Sequence, residues 1–202
     1  RGVPGARRVL RPGDELGVEG VRNVGNDQAD RLRVPSAQGR RREVLAVAEL
    51  LDGADLYSLD ERSRSRLRNA KIGLVPQGHT ALRALSVLDN VLLPSVLYSR
   101  RRPPRQRAED LLEAVGIAEL ARVGPHELSG GELRRMAVAR ALLMEPGVVL
   151  ADEPTAGLDE ESTAAVLELL RQTAQKGAAV LVVTHEEEAA RFADRVLTMN
   201  AG

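Results

Sequence analysis

The chain contains no cysteine and no tryptophan, and its aromatic residues are only Tyr57, Tyr98 and Phe192. The lack of cysteine excludes a disulfide scaffold and thiolate metal sites, and it fits a reducing compartment. The scarcity of aromatic side chains leaves few groups that could stack on a nucleobase. The hydrophobic core must therefore be built from leucine, valine and alanine.

Net charge and long apolar runs are also missing. Lys+Arg and Asp+Glu are both 29, so no global field draws the chain to nucleic acid or to an anionic membrane, and we expect no nucleic-acid partner. No apolar stretch approaches the roughly 20 residues that span a bilayer, and the N-terminus has no apolar signal core. We therefore expect the chain to be soluble. Its 202 residues are enough for a single domain, with a subdomain inserted in its core.

The composition of the chain changes near Leu51. Residues 1–50 contain ten arginines but no lysine, isoleucine, phenylalanine, tyrosine or threonine, and their apolar residues show poor periodicity. Within this segment, residues 45–51 fit either a strand or a short helix. Patterns typical of strands and helices alternate only from residue 52 onward.

Apolar runs predict strands at residues 71–77, 147–151, 178–183 and 195–199, and Pro76 ends the first of them. Helical spacing predicts helices at residues 86–98, 105–115, 132–144, 160–175 and 186–193, the third capped by Ser129. This alternation predicts an α/β fold with a mostly parallel sheet and flanking helices. We expect residues 80–135 to form an inserted helical subdomain and residues 136–202 to return to the core.

Polar side chains follow three of the predicted strands. Asp152 and Glu153 follow one, His185 follows the next, and Gln77 lies just past a third. Ligands of such sheets bind beyond the carboxyl ends of the strands, so we expect these four residues to converge on one crevice. Alone, an Asp-Glu pair is often a helix start and a histidine is often structural. The glutamates at 186–188 are interpreted as acids favoured at a helix N-terminus.

The order of these residues, with the segment Leu-Ser-Gly-Gly-Glu at 128–132, resembles the motif set of ATP-binding-cassette (ABC) transporter ATPases over residues 52–200. Residues 128–132 resemble the signature motif, 148–153 the Walker B strand, 156–159 the D-loop, His185 the switch histidine and Gln77 the Q-loop glutamine. Residues 132–137 and 151–155 are most similar to the lipoprotein-releasing and macrolide-exporter branch. The resemblance implies a P-loop NTPase-like fold.

The resemblance implies that this chain binds and hydrolyses ATP. It implies a Mg²⁺ ligand at Asp152, assisted by Gln77, since Mg²⁺ prefers oxygen ligands and keeps much of its water. Glu153 is then expected to polarise the attacking water, His185 to contact the γ-phosphate, and Gln77 to sense metal and water. These three residues form the implied catalytic group.

A second group of residues is implied to contact nucleotide held by an opposing subunit, through backbone N–H groups at a helix N-terminus. The group comprises Ser129, Gly130, Gly131, Glu132 and Asp159. The resemblance therefore implies a homodimer or heterodimer of two ATPase subunits that meet head to tail. It also implies a transmembrane permease partner and a cytoplasmic location, peripheral on the inner face of the cell membrane.

The phosphate-binding loop departs from the family pattern. A P-loop needs a lysine that bridges the β- and γ-phosphates and a hydroxyl residue that binds Mg²⁺. The best positional match contains Gly20 and Gly25 but places Asn26 and Asp27 at those two positions. At an effective dielectric of about 20, a like charge about 4 Å from a phosphate costs about 4 kcal/mol. Tight binding of ATP by this segment is therefore not expected.

Two explanations fit this departure. Residues 1–50 are native, and the subunit completes a partner's ATP site through its signature motif while its own site is degenerate. Alternatively, residues 1–50 are not the family's sequence, through truncation, a reading-frame error or an artefact. The abrupt change near Leu51 favours the second, because Glu153 and His185 have little reason to persist in a site that never binds nucleotide. A third hypothesis, a nucleic-acid-associated cassette, predicts coiled-coil insertions or tandem cassettes, and the sequence shows neither.

Overall fold

The structure is a computed structural model that describes residues 8–11, 50–51, 54–78, 80–97 and 105–198. The strands in these ranges are β1 (Arg8–Arg11), β2 (Leu50–Leu51), β3 (Ala54–Asp55), β4 (Ile72–Val75), β5 (Val148–Asp152), β6 (Ala179–Val183) and β7 (Val196–Thr198). Five of them form one sheet in the order β4-β5-β6-β1-β7, and all of its pairings are parallel. The short strands β2 and β3 pair with each other in the antiparallel sense.

The helices are α1 (Glu61–Lys71), α2 (Val87–Leu97), α3 (Arg105–Ala114), α4 (Gly130–Leu142) and α5 (Glu160–Gln175). Short 3₁₀ helices lie at Ala118–Leu120, Pro125–Glu127 and Glu187–Phe192. The segment predicted as a helix at residues 186–193 thus adopts the tighter 3₁₀ form. Among the residues that the structure describes between β4 and β5, the elements are all helical, which agrees with the predicted insertion. Its predicted limits at residues 80 and 135 stay predictions.

Several elements were not predicted, and β1 and α1 are the longest of them. β1 lies in the N-terminal segment, where only residues 45–51 suggested an element, and α1 precedes β4. No residue of α1 is buried, so the helix has no apolar stripe that a periodicity search could find. Its start is nevertheless marked by Asp60, whose side chain accepts a hydrogen bond from the backbone N–H of Ser63 at 3.0 Å. A search for capping residues would have found it.

The sheet is anchored by side chains that alternate along its strands. Val149 and Ala151 of β5 and Val180 and Val182 of β6 are buried, and they join a continuous core with the helices. Each fully buried leucine or valine of such a core contributes about 1.5–3 kcal/mol. This alternation fixes which residues face the core and therefore which residues emerge at the ends of the strands.

The helical insert is tied to the sheet by polar contacts as well as by packing. Helix α4 packs against both α2 and α3 of the insert and against β4 of the sheet. The guanidinium of Arg140, in the last turn of α4, donates to the backbone carbonyl oxygen of Thr80 and, at 2.6 Å, to its hydroxyl. Burial lowers the pKa of Arg140 from its ordinary value. The loop that follows β4 is thereby held against α4.

Candidate functional site

The centre of the site is built where β5 and β6 end. Asp152, the last residue of β5, pairs in register with Val183, the last residue of β6. The next backbone N–H, that of Glu153, donates to the carbonyl oxygen of Val183 at 2.8 Å. Because both strands run in the same direction, the residues that follow them emerge at the same edge of the sheet.

Glu153 is held in a conformation that its backbone does not favour. Its φ is 50°, in the left-handed region, which costs a residue with a side chain about 1 kcal/mol or more. The residue is only 8% exposed. Its Oε2 accepts a hydrogen bond from the hydroxyl of Thr184 at 3.1 Å, and its Oε1 lies 2.8 Å from Nδ1 of His185. Strained residues of this kind concentrate at functional sites, where the surroundings hold them in place.

His185 presents its imidazole to solvent while one ring nitrogen contacts Glu153. Its side chain is 66% exposed, compared with 11% for the side chain of Glu153. The hydrogen bond that Glu153 accepts, followed by the negative charge of that residue, raises the pKa of His185 above its ordinary value. The exposed part of the ring is therefore available to a ligand, and the ring carries a positive charge over a wider pH range than a free histidine.

The structure brings Asp152 to the same edge but leaves Gln77 apart. Asp152 is exposed at the end of β5, and Gln77 is exposed two residues after β4, the strand next to β5. No hydrogen bond joins Gln77 to Asp152, Glu153 or His185, all four of which are described residues. Direct contact therefore joins Glu153 and His185, and Asp152 emerges at the same edge of the sheet. The convergence of Asp152 and Gln77 with them on one crevice stays a prediction.

The structure also identifies partners that sequence reasoning did not assign to the chemistry. Thr184 and Thr155 are both fully buried, and Thr155 donates its hydroxyl hydrogen to Oε2 of Glu186. The backbone N–H of Glu186 donates to the hydroxyl of Thr184 at 3.1 Å. Glu186 was interpreted only as an acid at a helix start. No local pattern in the sequence distinguishes Thr155 and Thr184 from other threonines near the ends of strands.

The signature segment forms the start of α4. The hydroxyl of Ser129 accepts a hydrogen bond from the backbone N–H of Glu132 at 3.3 Å, and the carboxylate of Glu132 accepts one from the backbone N–H of Ser129 at 2.7 Å. This reciprocal arrangement is a capping box. The backbone hydrogen bond from Ser129, and then that from its hydroxyl, lower the pKa of Glu132. The cap keeps the N-terminus of α4 regular and exposed.

Gly131 of this segment packs against the loop at residues 156–159. A Cβ added to Gly131 would lie 3.0 Å from a methyl carbon of Leu158, so the start of α4 and this loop are in close contact. Asp159 caps α5 by accepting a hydrogen bond from the backbone N–H of Ser162 at 2.8 Å. That bond is the main cause of the lowered pKa of Asp159. Gly130 is exposed beside these residues.

The predicted phosphate-binding residues Gly20 and Gly25 lie outside the described residues. The two lysines of the chain, Lys71 and Lys176, precede β4 and β6 and therefore lie at the opposite edge of the sheet from Glu153. β4 alone has four residues, which at about 3.3 Å per residue separates the two edges by about 13 Å. Neither lysine can serve a phosphate bound beside Glu153.

The donor groups present fit a metal that is shared with a substrate. Within the described part of the chain, no three His, Cys, Asp or Glu residues are grouped so that they could hold a metal ion by themselves. Mg²⁺ is typically bound by one or two carboxylates together with waters and phosphate oxygens, not by a protein cage. The single exposed carboxylate of Asp152 fits that role.

None of the helices in the described ranges reaches both the length and the apolarity of a membrane span.

The sequence is similar to ATP-binding subunits of ABC transporters. The family model for ABC transporters matches residues 36–156. A lipoprotein-releasing system ATP-binding protein, LolD, of a Shewanella species is 45% identical over 155 residues, covering 76% of this chain and 67% of that protein. LolD of Pseudomonas syringae pv. tomato is 41% identical over 202 residues, covering 99% of this chain and 87% of that protein. The family match begins before Leu51, and the foreign origin of residues 1–50 stays a prediction.

Solved structures give the same result for the fold. A dimeric ATP-binding cassette in a post-hydrolysis state, bound to ADP and Pi, has a TM-score of 0.68 and 33% identity, covering 74% of this chain and 67% of that chain. A dimeric bacterial ABC transporter cassette has a TM-score of 0.68 and 34% identity, with the same two coverages. The parallel sheet with flanking helices is therefore a P-loop NTPase-like fold, as predicted.

Proposed function

This chain belongs to the ABC transporter family, as an ATP-binding subunit, and from that premise we propose that it hydrolyses ATP and couples nucleotide-driven dimerisation to export through a membrane partner. The observation that carries the catalytic part is the contact of 2.8 Å between Glu153 and His185 at the edge where Asp152 also emerges. An acid, an imidazole and a metal-binding carboxylate at one edge are the groups that phosphoryl transfer to water requires.

Each residue of the site has a role that its environment supports. Asp152, exposed and acceptor-only, would hold Mg²⁺ together with waters and phosphate oxygens, with Gln77 as a further oxygen ligand from the neighbouring strand. A metal ion held there would supply positive charge against the charge that develops on the phosphates. Glu153, mostly buried, would accept the proton of the attacking water. His185, with its raised pKa and exposed ring, would donate to the γ-phosphate.

The start of α4 would serve nucleotide held by a second subunit. Its exposed N-terminus carries the positive end of the helix dipole, and the capping box uses the backbone N–H groups of Ser129 and Glu132 but not those of Gly130 and Gly131, which would attract a phosphate. We assign Ser129, Gly130 and Gly131 to this contact, with Glu132 holding the cap and Asp159 holding the adjoining loop. Two subunits, identical or different, would then meet head to tail around ATP.

The remaining partner would be a transmembrane permease, which would keep this subunit at the cytoplasmic face of the cell membrane. The relatives of up to 45% identity are named for a lipoprotein-releasing system. A lipid-anchored cargo is accordingly the first substrate class to test, although the permease, not this subunit, would select it.

A second candidate function is a degenerate cassette that completes a partner's ATP site through its signature segment. The observation that favours it is the position of both lysines at the far edge of the sheet, away from Glu153. A subunit of this kind would bind its own nucleotide weakly and would still present α4 to the nucleotide of a partner.

One substitution separates catalysis from a contaminating ATPase. Glu153→Gln keeps the size of the side chain but removes the proton acceptor, so ATP turnover should fall by about 100-fold or more while the fold is kept. Exposed Glu113→Gln on the helical insert is the matched control and should leave turnover unchanged. Absence of nucleotide binding and turnover in the unmodified chain would defeat the catalytic form of the proposal.

The second candidate is tested by mixing. A cassette subunit with a complete P-loop but a mutated signature segment is inactive by itself under this hypothesis. Added to it, the present chain should restore ATP turnover, and Ser129→Arg should prevent that restoration because its side chain would fill the phosphate position. Restoration that survives Ser129→Arg would contradict the role assigned to the start of α4.

A further inference from the structure

The carboxylate of Glu153 has two unequal partners. Oε2 is bonded to the hydroxyl of Thr184, which is fully buried, whereas Oε1 is bonded to His185, whose side chain is 66% exposed. A buried hydroxyl cannot exchange its partner for water without leaving a polar group unpaired. An exposed imidazole can. The two oxygens of Glu153 are therefore not equivalent.

The hydroxyl of Thr184 is itself held in one orientation. A threonine hydroxyl has one hydrogen to donate and lone pairs that accept. Here the backbone N–H of Glu186 fills the accepting side at 3.1 Å, so the single hydrogen is directed to Oε2 of Glu153. The hydroxyl thus distinguishes the two neighbours that contact it.

A further hydrogen bond holds Glu186. Its Oε2 accepts the hydroxyl hydrogen of Thr155, which lies two residues after Glu153 and is fully buried. The chain of bonds therefore starts at Glu153, passes through Thr184 and Glu186, and returns to the loop that carries Glu153. Such a closed network holds its members more firmly than separate pairs would. It accounts for the persistence of the left-handed backbone at Glu153, with φ of 50°.

We propose that Thr184 is a positioning residue for Glu153, that Thr155 and Glu186 hold Thr184 in place, and that Oε1 of Glu153 is the oxygen left to accept a proton from water. The inference rests on the proposed function for the identity of the reaction. When His185 turns to a phosphate, Oε1 is released to the water while Oε2 stays bonded to Thr184. The direction of the carboxylate is then kept through the reaction.

The first test compares Thr184→Val with Thr184→Ser in the full chain. Valine has nearly the shape of threonine but leaves Oε2 without its donor, so kcat should fall by about 10- to 100-fold with KM changed by less than about 2-fold. Serine keeps the hydroxyl and should restore kcat to within about 3-fold of the unmodified chain. Thr173→Val is the matched control, since its hydroxyl donates to a carbonyl oxygen within α5 at 2.9 Å.

The second test needs no nucleotide. The ¹⁵N chemical shifts of the His185 ring, assigned by comparison with His185→Gln, report whether Nδ1 is hydrogen-bonded to Glu153. Thr184→Val and Thr155→Val should both move these shifts toward those of a free imidazole at the same pH, while Thr184→Ser and Thr173→Val should not. Circular dichroism must show that each variant is folded. If Thr184→Val does not fold, the ring shifts of Thr155→Val decide the test.

The outcomes separate this inference from the proposed function. Unchanged kcat and unchanged ring shifts in folded Thr184→Val would overturn the positioning role. Unchanged ring shifts in both valine variants would overturn it even where no turnover is measured. Absence of turnover in every form, with the ring shifts moving as expected, would overturn the proposed catalysis and support the positioning network.

Discussion

Asn90 provides a test of how firmly the loop after β4 is attached to the helical insert. Its side chain lies at 0% exposure in α2. Oδ1 accepts a hydrogen bond from the backbone N–H of Leu82 at 2.8 Å, and Nδ2 donates to the carbonyl oxygens of Leu82 at 3.1 Å and Ser86 at 2.9 Å. One amide thus closes the loop at residues 82–86 onto the helix. This loop follows the segment that carries Gln77.

The cost of losing this amide follows from what would remain unpaired. In Asn90→Ala, the carbonyl oxygens of Ser86 and Leu82 keep backbone N–H donors, from residue 90 at 2.9 Å and from Leu85 at 3.1 Å, whereas the backbone N–H of Leu82 loses its acceptor. At about 1 kcal/mol for each lost bond, with a further penalty for the vacated volume, we expect about 2–4 kcal/mol. For a domain of this size, Tm should fall by roughly 5–15 °C.

Asn90→Asp changes a single group and makes the test sharper. The new oxygen would face the carbonyl oxygens of Leu82 and Ser86 instead of donating to them, so burial and repulsion should raise the pKa of the new carboxyl. A raised pKa in the folded state means that the destabilisation grows as pH rises above the unfolded value. We expect a loss of about 3–5 kcal/mol near neutral pH and a smaller loss in mild acid.

The assay is urea unfolding followed by circular dichroism at roughly pH 5 and roughly pH 8. Gln106→Ala is the control, because its amide donates to Asp110 at 2.9 Å on the exposed side of α3 and its loss should cost less than about 0.5 kcal/mol. A stability of Asn90→Asp within about 1 kcal/mol of the unmodified chain at both pH values would refute the reasoning.

Two further predictions concern the site and the sheet. Because Glu153 raises the pKa of His185, their contact stabilises the fold below the unfolded pKa of the histidine. This contribution is lost as pH rises through the folded pKa. We therefore expect His185→Gln to lower the urea midpoint in mild acid and to leave it nearly unchanged at alkaline pH. Gly73→Ala would bring a Cβ within 2.5 Å of a backbone carbonyl oxygen of α4 and should cost about 1–3 kcal/mol in denaturant unfolding, whereas Gly147→Ala, with open space around it, should be nearly neutral.

The parts of the fold that could be predicted are those with a local signal. The apolar run at residues 147–151 predicted the strand β5, in which Val149 and Ala151 are buried and Leu150 is exposed, and Ser129 caps the helix whose start it marked. Helix α1 gave no apolar periodicity because none of its residues is buried, and only its cap, Asp60, marked its start. Asn69 attaches the helix by donating its amide hydrogen to the carbonyl oxygen of Pro94 at 2.9 Å. A contact between segments 25 residues apart leaves no periodicity in either of them.

The site shows the same division. Glu153 and His185 could be predicted because each follows an apolar run, and parallel strands bring their ends together. The partners Thr184 and Thr155 could not, since a threonine at the end of a strand is common and its hydroxyl selects a partner only once the strands are paired. Tertiary contacts, not local pattern, convert these residues from strand ends into parts of a network.

The pairing of β5 with β6 therefore determines both the packing of the core and the position of the site. Val149 and Ala151 point to the core on one strand, and Val180 and Val182 do so on the other. A slip of one residue between the strands would turn an entire set of these side chains to the other face, so the core permits only the observed register. That register pairs Asp152 with Val183 and hence places Glu153 beside the residues that follow β6. Substitutions that loosen core packing along β5 or β6 should accordingly disturb the contact between Glu153 and His185 even though they touch neither residue.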